Sequence, residues 1–563
     1  MPTFSEVLLR HHRQQPQKTA LTLILPNQED APISYRELVR SALPYTRALE
    51  RAGIQPGEVV ILILQHSRAL VDAYWGAILH GAIPSIMPFL TEKLLPERYR
   101  ADLASLVAIT QPEGIITYQE FAPEVHAAIG EHSSVRRVLL TEDMQTVAGE
   151  PDAVELSALG GLGRQPADTV LLQHSSGTTG LQKGVALSHQ AVFNQLDAMR
   201  AALRLTHDDV IVSWLPLYHD MGLIAGYLMP ILAAVPLVLM SPFDWVRAPY
   251  KLMHAITKYR GTLAWLPNFA YNFCAQKTRD RHLEGVDLST WRAVINCSEP
   301  VRHASHMAFL ERFAPYGLRR EALAASYAMA ENTFAVTQGG IDAPLTLDEI
   351  DREDFQTLRL ANPAHGGRPT IIMVSNGQPV PGTQVKVVDA QGATLPERHV
   401  GEIAVRSNCM LTEYYHRPDA TQEVLRDGWY LTGDYGYLAE GELYVSGRKK
   451  DLIIVGGKNI YPQDLETLAM EIPGVHAGRV SAFGIYNEET GTEDVVIVAE
   501  VDERDEDTRQ RIADQIRQHI TRNSAIALRH VHLVDRHWMV KTSSGKTARL
   551  ANKEKYLKEM GLA

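Results

Sequence analysis

Cysteine is nearly missing from this chain: Cys274, Cys297 and Cys409 are all that 563 residues contain. Their spacing matches no metal knuckle and no disulfide framework. That points to a reducing compartment and to three small buried side chains. An excess of positive charge is missing too. Lys and Arg number 55 against 66 Asp and Glu, for a net charge of −11. This gives no electrostatic footprint for nucleic acid, which is set aside as a partner. Long apolar runs are also absent. The most membrane-like stretch, IAGYLMPILAAVPLVLM (224–240), is short for a span and broken by Pro230 and Pro236. It predicts a buried helix followed by a buried strand, with no transmembrane segment. At the N-terminus, Arg10, His11, His12 and Arg13 interrupt the apolar residues and no small-residue cleavage site follows. No signal peptide is expected here. A short helix and then a strand are expected, with a cytoplasmic location. No repeat of solenoid period is present.

What the chain does contain is alternation. Its length calls for roughly two to four structural units. A hydrophobic share of 45% with 21% charged residues is an ordinary globular balance. GEVVILILQ around Val59 reads as a buried strand, and RALVDAYWGAILHGAIPSIM as a helix leading into another. This βα rhythm fills the first two thirds and predicts an α/β fold. From Gly382 onward TQVKVVD, GEIAVRS and GELYVSG are short strands between Gly and Asp turns, which suggests a β-rich subdomain. SGRKKDLIIVGGKNIYP then reads as a junction. After it, DVVIVAEVD and a helix over 506–522 are enough for a small α+β domain, and the acidic run 502–507 reads as a solvated turn.

One loop carries candidate chemistry. HSSGTTGLQKG (174–184) offers hydroxyls from Ser175, Ser176, Thr178 and Thr179, and an ammonium from Lys183. Gly177, Gly180 and Gly184 let backbone N–H groups converge on an anion without Cβ obstruction. It is not a Walker A loop, because Gln182 precedes and Gly184 follows the lysine. Composition alone leaves two readings, a phosphate cradle and a plain flexible turn. Val192, Leu196, Met199 and Leu203 fall on one face of a helix that follows, with Ser188 as its N-cap. Residues 184–187 are a candidate strand before it.

The same loop resembles the phosphate loop of the adenylate-forming superfamily of acyl-CoA synthetases, peptide-synthetase adenylation domains, luciferases and fatty acyl-AMP ligases. SYAMAE (326–331), GWYLTGD (428–434), GRKKD (447–451) and KTSSGK (541–546) follow in that family's order and spacing. The resemblance covers nearly the full length. It implies a large N-terminal domain (1–446) of α/β sandwich subdomains, with the β-rich subdomain at about 377–446. A small mobile α+β domain (447–563) would act as a lid. It also implies ATP as a substrate and Mg2+ as the cofactor.

The chemistry so implied joins a carboxylate to the α-phosphate of ATP and expels pyrophosphate. Two anions must meet, so charge has to be neutralised while the atoms are held in line. By resemblance Lys546 is the catalytic cation between carboxylate and α-phosphate, and Lys183 serves the phosphate loop with Ser175, Ser176, Gly177, Thr178, Thr179 and Gly180. Glu331 would hold Mg2+. Tyr327, in the run Tyr327, Ala328, Met329 and Ala330, would stack on adenine. Asp434 would take the ribose hydroxyls, Arg448 the ribose or phosphate region, and Lys450 the hinge about which the lid turns.

Within the superfamily the match is best to fatty acyl-AMP ligases. LPLYHDMGL places His219, Asp220, Met221 and Gly222 in the acyl-pocket motif, and SEPVR places Ser298, Glu299 and Pro300 on the adenine-pocket strand. Ala330 stands where threonine usually precedes the metal glutamate. The 44 positions from Glu331 to Ser375 contain IDAPLTLDEIDREDFQTLRL (341–360), which looks like those ligases' insertion. In them it is thought to restrain the lid and disfavour CoA. The expected activity is adenylation of a medium- or long-chain fatty acid, with transfer to the phosphopantetheine thiol of an acyl carrier protein. The alternatives are a fatty acyl-CoA synthetase with CoA as acceptor and a non-catalytic nucleotide-binding homologue. The second would be expected to lack Lys546, Glu331 or Asp434, and all three are present.

Overall fold

A computed structural model describes every residue except 27, 90–95, 131–132, 145–152, 176–182, 456–457, 489–491, 525, 527, 543–544 and 563. The chain divides into two compact units. The first comprises Met1–Thr346, Gly377–Gln384 and Arg406–Trp429, and the second comprises Leu347–Asn376, Val385–Val405 and Tyr430–Ala563.

The first unit is built on two largely parallel sheets. Among the described residues the larger has nine strands, and Leu323–Ala328, Ala293–Asn296, Leu263–Leu266, Ile211–Ser213, Leu237–Met240 and Thr19–Ile24 run parallel in that order. Short antiparallel strands close both edges. The second sheet has four parallel strands, with Val59–Leu62 and Gly114–Thr117 in the middle. Val59–Leu62 is buried along its length, as a continuous apolar run in a parallel sheet covered on both faces should be. The helix Arg68–His80 follows and ends on Gly81 in the left-handed conformation that lets the chain turn into Ile83–Ile86. The 224–240 stretch becomes the buried turns Met221–Leu228 and Met229–Ala233 followed by the strand Leu237–Met240. Among the described residues no helix is long and apolar enough to cross a membrane. All three cysteines are buried and unbridged.

A third, antiparallel sheet has three strands among the described residues. Thr169–Ser175 pairs with Lys183–Ser188, which pairs on its other side with Glu413–Tyr414. Ser188 caps the helix His189–Ala202 by accepting from the Ala191 N–H at 3.1 Å.

In the second unit Gly401–Val405 pairs with Tyr430–Gly436, and Trp429–Ala439 pairs with Glu442–Arg448. The C-terminal part has two long antiparallel strands, Val475–Asn487 and Thr492–Val501, with His530–Val534 added parallel to the second. Helices Pro462–Met470 and Glu506–Asn523 cover them, and Asp505 caps the latter from within the acidic run. Ile497, Ala499, Leu465, Ile516 and Ile520 form its core. The 341–360 segment is no bare loop. It contributes the strand Leu347–Asp351, paired with Thr370–Val374, and the short helix Arg352–Thr357.

Candidate active site

The loop that the sequence suggests for phosphate is flanked by two paired strands, Thr169–Ser175 and Lys183–Ser188. Ser175 faces Lys183 and His174 faces Gly184, so the strand ladder closes directly beneath it. The calls on Ser176, Gly177, Thr178, Thr179 and Gly180 lie outside the described residues. The next helix starts at His189, after the whole strand Lys183–Ser188, and Lys183 is the first residue of that strand. His174 in the strand before the loop is buried, and its Nε2 lies 2.6 Å from Ser85 Oγ. Burial pushes its imidazole down to about 4, so it is neutral at pH 7 and adds no cation.

Glu331 sits on a 3-10 turn, Ala330–Asn332, just past the strand Leu323–Ala328 that carries Tyr327. Its carboxylate Oε1 accepts the Tyr414 hydroxyl at 2.7 Å. The turn is stitched to the 407–414 segment along its length. Glu331 O accepts the Leu411 N–H at 2.7 Å, Thr333 Oγ1 donates to Cys409 O at 2.7 Å, and Ser407 Oγ donates to Asn332 Oδ1 at 2.5 Å. Because Tyr414 pairs in register with Val185, the same strand lies beside Lys183–Ser188. Lys183 Nζ lies over the Tyr414 ring, 4.7 Å from its centroid. Lys183 and Glu331, far apart in sequence, thus meet on one tyrosine. Tyr327 is buried, and Ala328, Met329 and Ala330 connect it to Glu331. No group of three or more His, Cys, Asp or Glu among the described residues could cage a metal. A single carboxylate with one oxygen already oriented suits Mg2+, which takes few protein ligands and completes its shell with phosphate and water.

Ser298 adopts a left-handed backbone, φ +71, which is strained for a residue other than glycine. Its Oγ approaches Met221 Sδ at 3.8 Å, which brings two sequence-predicted segments together. Glu299 Oε2 accepts the Phe269 N–H at 2.9 Å, so it caps the helix Asn268–Lys277. Pro300 lies between that cap and Arg302, whose N–H reaches Asn268 Oδ1 at 3.1 Å. Asp220 Oδ1 caps Met221 N at 2.8 Å, and His219 O accepts the Leu223 N–H at 2.8 Å. They open a π-helical segment, Met221–Leu228, a wide turn that recurs at functional sites. A Cβ on Gly222 would lie 2.2 Å from Pro216 O, so only glycine fits there. Trp214 and Trp245 stack nearby at 3.5 Å, with Phe269 edge-on to both.

In the second unit Asp434 stands opposite Arg448 in the strand ladder, with Oδ1 and Nε 3.7 Å apart. Glu402, 9% exposed, accepts the Gly433 N–H at 3.1 Å and pairs with Lys449 Nζ at 2.8 Å. One buried carboxylate thus holds both the Gly433–Asp434 turn and the entry to the Lys450 segment, a short 3-10 turn Lys449–Asp451. Lys546 lies beside the Lys541–Thr547 bridge, with Gly545 at φ +82 and Thr542 N donating to Lys546 O at 2.8 Å. Three residues on, Arg549 donates to both Glu466 oxygens at 2.7 Å and to Asp451 Oδ2 at 2.8 Å. Burial acts to lower its pKa. The two carboxylates outweigh that and leave it above the ordinary value. Tyr414, Glu402 and Arg549 escaped sequence reasoning. Of these only Arg549 had a visible signal, its place just after the SGK lysine.

A family model described as AMP-binding enzyme matches residues 8–415. The chain belongs to the AMP-binding enzyme family. As a member it is an adenylate-forming ligase that uses ATP. A Caulobacter vibrioides relative named putative acyl-CoA synthetase is 32% identical over 529 residues, 93% of this chain and 90% of that protein. The medium-chain-fatty-acid–acyl-carrier-protein ligase JamA of Moorena producens is 29% identical over 585 residues, 99% of this chain and 96% of that one. The long-chain-fatty-acid–AMP ligase FadD32 of Mycobacterium marinum is 30% identical, covering 89% and 85%. Among solved structures, one from studies of fatty acyl-adenylate ligases of E. coli and L. pneumophila superposes with a TM-score of 0.88 at 27% identity. It covers 100% of this chain and 99% of that one. The α/β architecture expected from sequence is therefore that of a known AMP-binding fold.

Proposed function

We propose that this enzyme adenylates a medium- or long-chain fatty acid and passes the acyl group to the phosphopantetheine thiol of an acyl carrier protein. In the first step a carboxylate oxygen bonds to the α-phosphorus of ATP, and the bond to the β-phosphate oxygen breaks to release pyrophosphate. In the second the thiolate sulfur bonds to the acyl carbon and AMP leaves. Lys546 neutralises the meeting anions, Lys183 with Ser175 and the 176–180 loop holds the phosphates, and Tyr327 packs on adenine. Ser298, Glu299 and Pro300 shape the base pocket. Asp434 takes the ribose hydroxyls, with Arg448 beside it. Glu331 would hold Mg2+, which supplies charge neutralisation on the phosphates when bound. The 219–228 segment faces the acyl chain, and Lys450 is the hinge of a lid spanning 447–563. The names of JamA and FadD32 support the substrate class.

The observation that carries the carrier-protein reading lies inside the second unit. Ile350 and Phe355 of the 341–360 segment are buried in one cluster with Tyr437, Tyr444 and Tyr461. Arg352 Nη1 donates to Asn523 O at 2.9 Å, and Arg359 Nη2 to Asn459 Oδ1 at 3.1 Å. This segment grips residues on the far side of Lys450, and such a grip opposes the rotation that CoA transfer requires. The test is a product assay with labelled dodecanoate, ATP and Mg2+, run alone, with CoA and with a phosphopantetheinylated carrier protein. Acyl-AMP that persists with CoA and is consumed by the carrier is expected. Rapid acyl-CoA formation would make the chain a CoA ligase. A Lys546→Ala variant should lose adenylation and keep ATP binding.

A further inference from the structure

Lys183 and Glu331 carry opposite charges and share a neighbour, yet among the described residues no ion pair joins them. What they share is Tyr414, 2% exposed and fixed on both sides by backbone: its strand pairs with Lys183–Ser188, and Leu411 anchors to Glu331 O. The ring face takes the ammonium and the hydroxyl at the ring edge takes one carboxylate oxygen. An aromatic face attracts a cation without neutralising it. A phenol hydrogen bond orients a carboxylate and leaves its charge and its second oxygen for another partner. Direct pairing of Lys183 with Glu331 would instead cancel both charges and close the place where phosphate and metal must enter.

We propose that Tyr414 is the positioning residue that keeps these two groups apart and aims them, the lysine at phosphate and the free Glu331 oxygen at the divalent cation that accompanies it. This rests on the reading of Glu331 as the metal carboxylate. Tyr414→Phe removes the hydroxyl and keeps the ring. Tyr414→Leu removes both. The probe is Mn2+ titrated by electron paramagnetic resonance into the full-length protein holding a non-hydrolysable ATP analogue, with analogue binding in chelator measured alongside. Tyr414→Phe should weaken Mn2+ about 10- to 100-fold, the range for loss of a partner that orients a metal ligand. Analogue binding in chelator should be unchanged. In adenylation the Mg2+ half-saturation point should rise by a similar factor, with kcat recovered at high Mg2+. Tyr414→Leu should be worse, because Lys183 can then fall onto Glu331. Adding Lys183→Met to it should restore part of the Mn2+ affinity. Unchanged Mn2+ affinity in a folded Tyr414→Phe variant would overturn the proposal and leave the metal reading standing. Equal metal-free loss of analogue binding would also overturn it, as a packing effect. Wild-type protein that binds no Mn2+ with the analogue would overturn both this and the role of Glu331.

Discussion

Replacing Arg549 with methionine should loosen the C-terminal part of the second unit more than any surface charge change. The guanidinium donates to Glu466 at 2.7 Å twice and to Asp451 at 2.8 Å. Glu466 is 7% exposed and also accepts the Ala482 N–H at 3.0 Å. Methionine fills the volume and leaves that carboxylate buried without its counter-charge. Breaking a buried pair from one side costs about 3–5 kcal/mol. The lower figure is about two powers of ten in a local opening constant. Peptide-resolved hydrogen exchange on the full chain reads this directly. Amides of Val475–Asn487 and Thr492–Val501, which pack on the helix bearing Glu466, should exchange about a hundredfold faster. Arg549→Lys keeps the charge and loses the two-pronged geometry, so it should fall between. A double variant, Arg549→Met with Glu466→Gln, should recover part of the loss, since the stranded charge is gone. Exchange within about threefold of wild type in Arg549→Met would refute the reasoning, as would additive effects in the double variant.

Gly222→Ala should cost about 1–3 kcal/mol, because its Cβ would meet Pro216 O at 2.2 Å inside a fully buried turn; a melting curve matching wild type would count against it. Acid should weaken the fold through His174. Its pKa is about 4 in the folded chain, and the unfolded value is near 6.5. Between these the unfolded chain binds more protons. The contribution is therefore complete above about pH 6.5 and is lost as pH falls toward 4, up to about 3 kcal/mol. His174→Gln should flatten that part of the stability–pH curve, and an identical slope would refute it.

Much of this protein was legible along the chain because the signals are local. An unbroken apolar run made Val59–Leu62 a buried strand, Ser188 announced a helix start, and the glycine–aspartate turns marked the β-rich part. The candidate site was read from motifs, since Glu331, Asp434 and Lys546 each sit in a short string that resembles the family's. Tertiary structure alone decided how those strings are held. Tyr414 reaches Glu331 because a two-residue strand pairs with Lys183–Ser188. Arg549 meets Asp451 across 98 residues and Glu466 across 83. Side-chain period and capping depend on neighbours a few positions away, which a sequence displays. Strand register and buried ion pairing depend on which distant segments come together, and no local pattern encodes that.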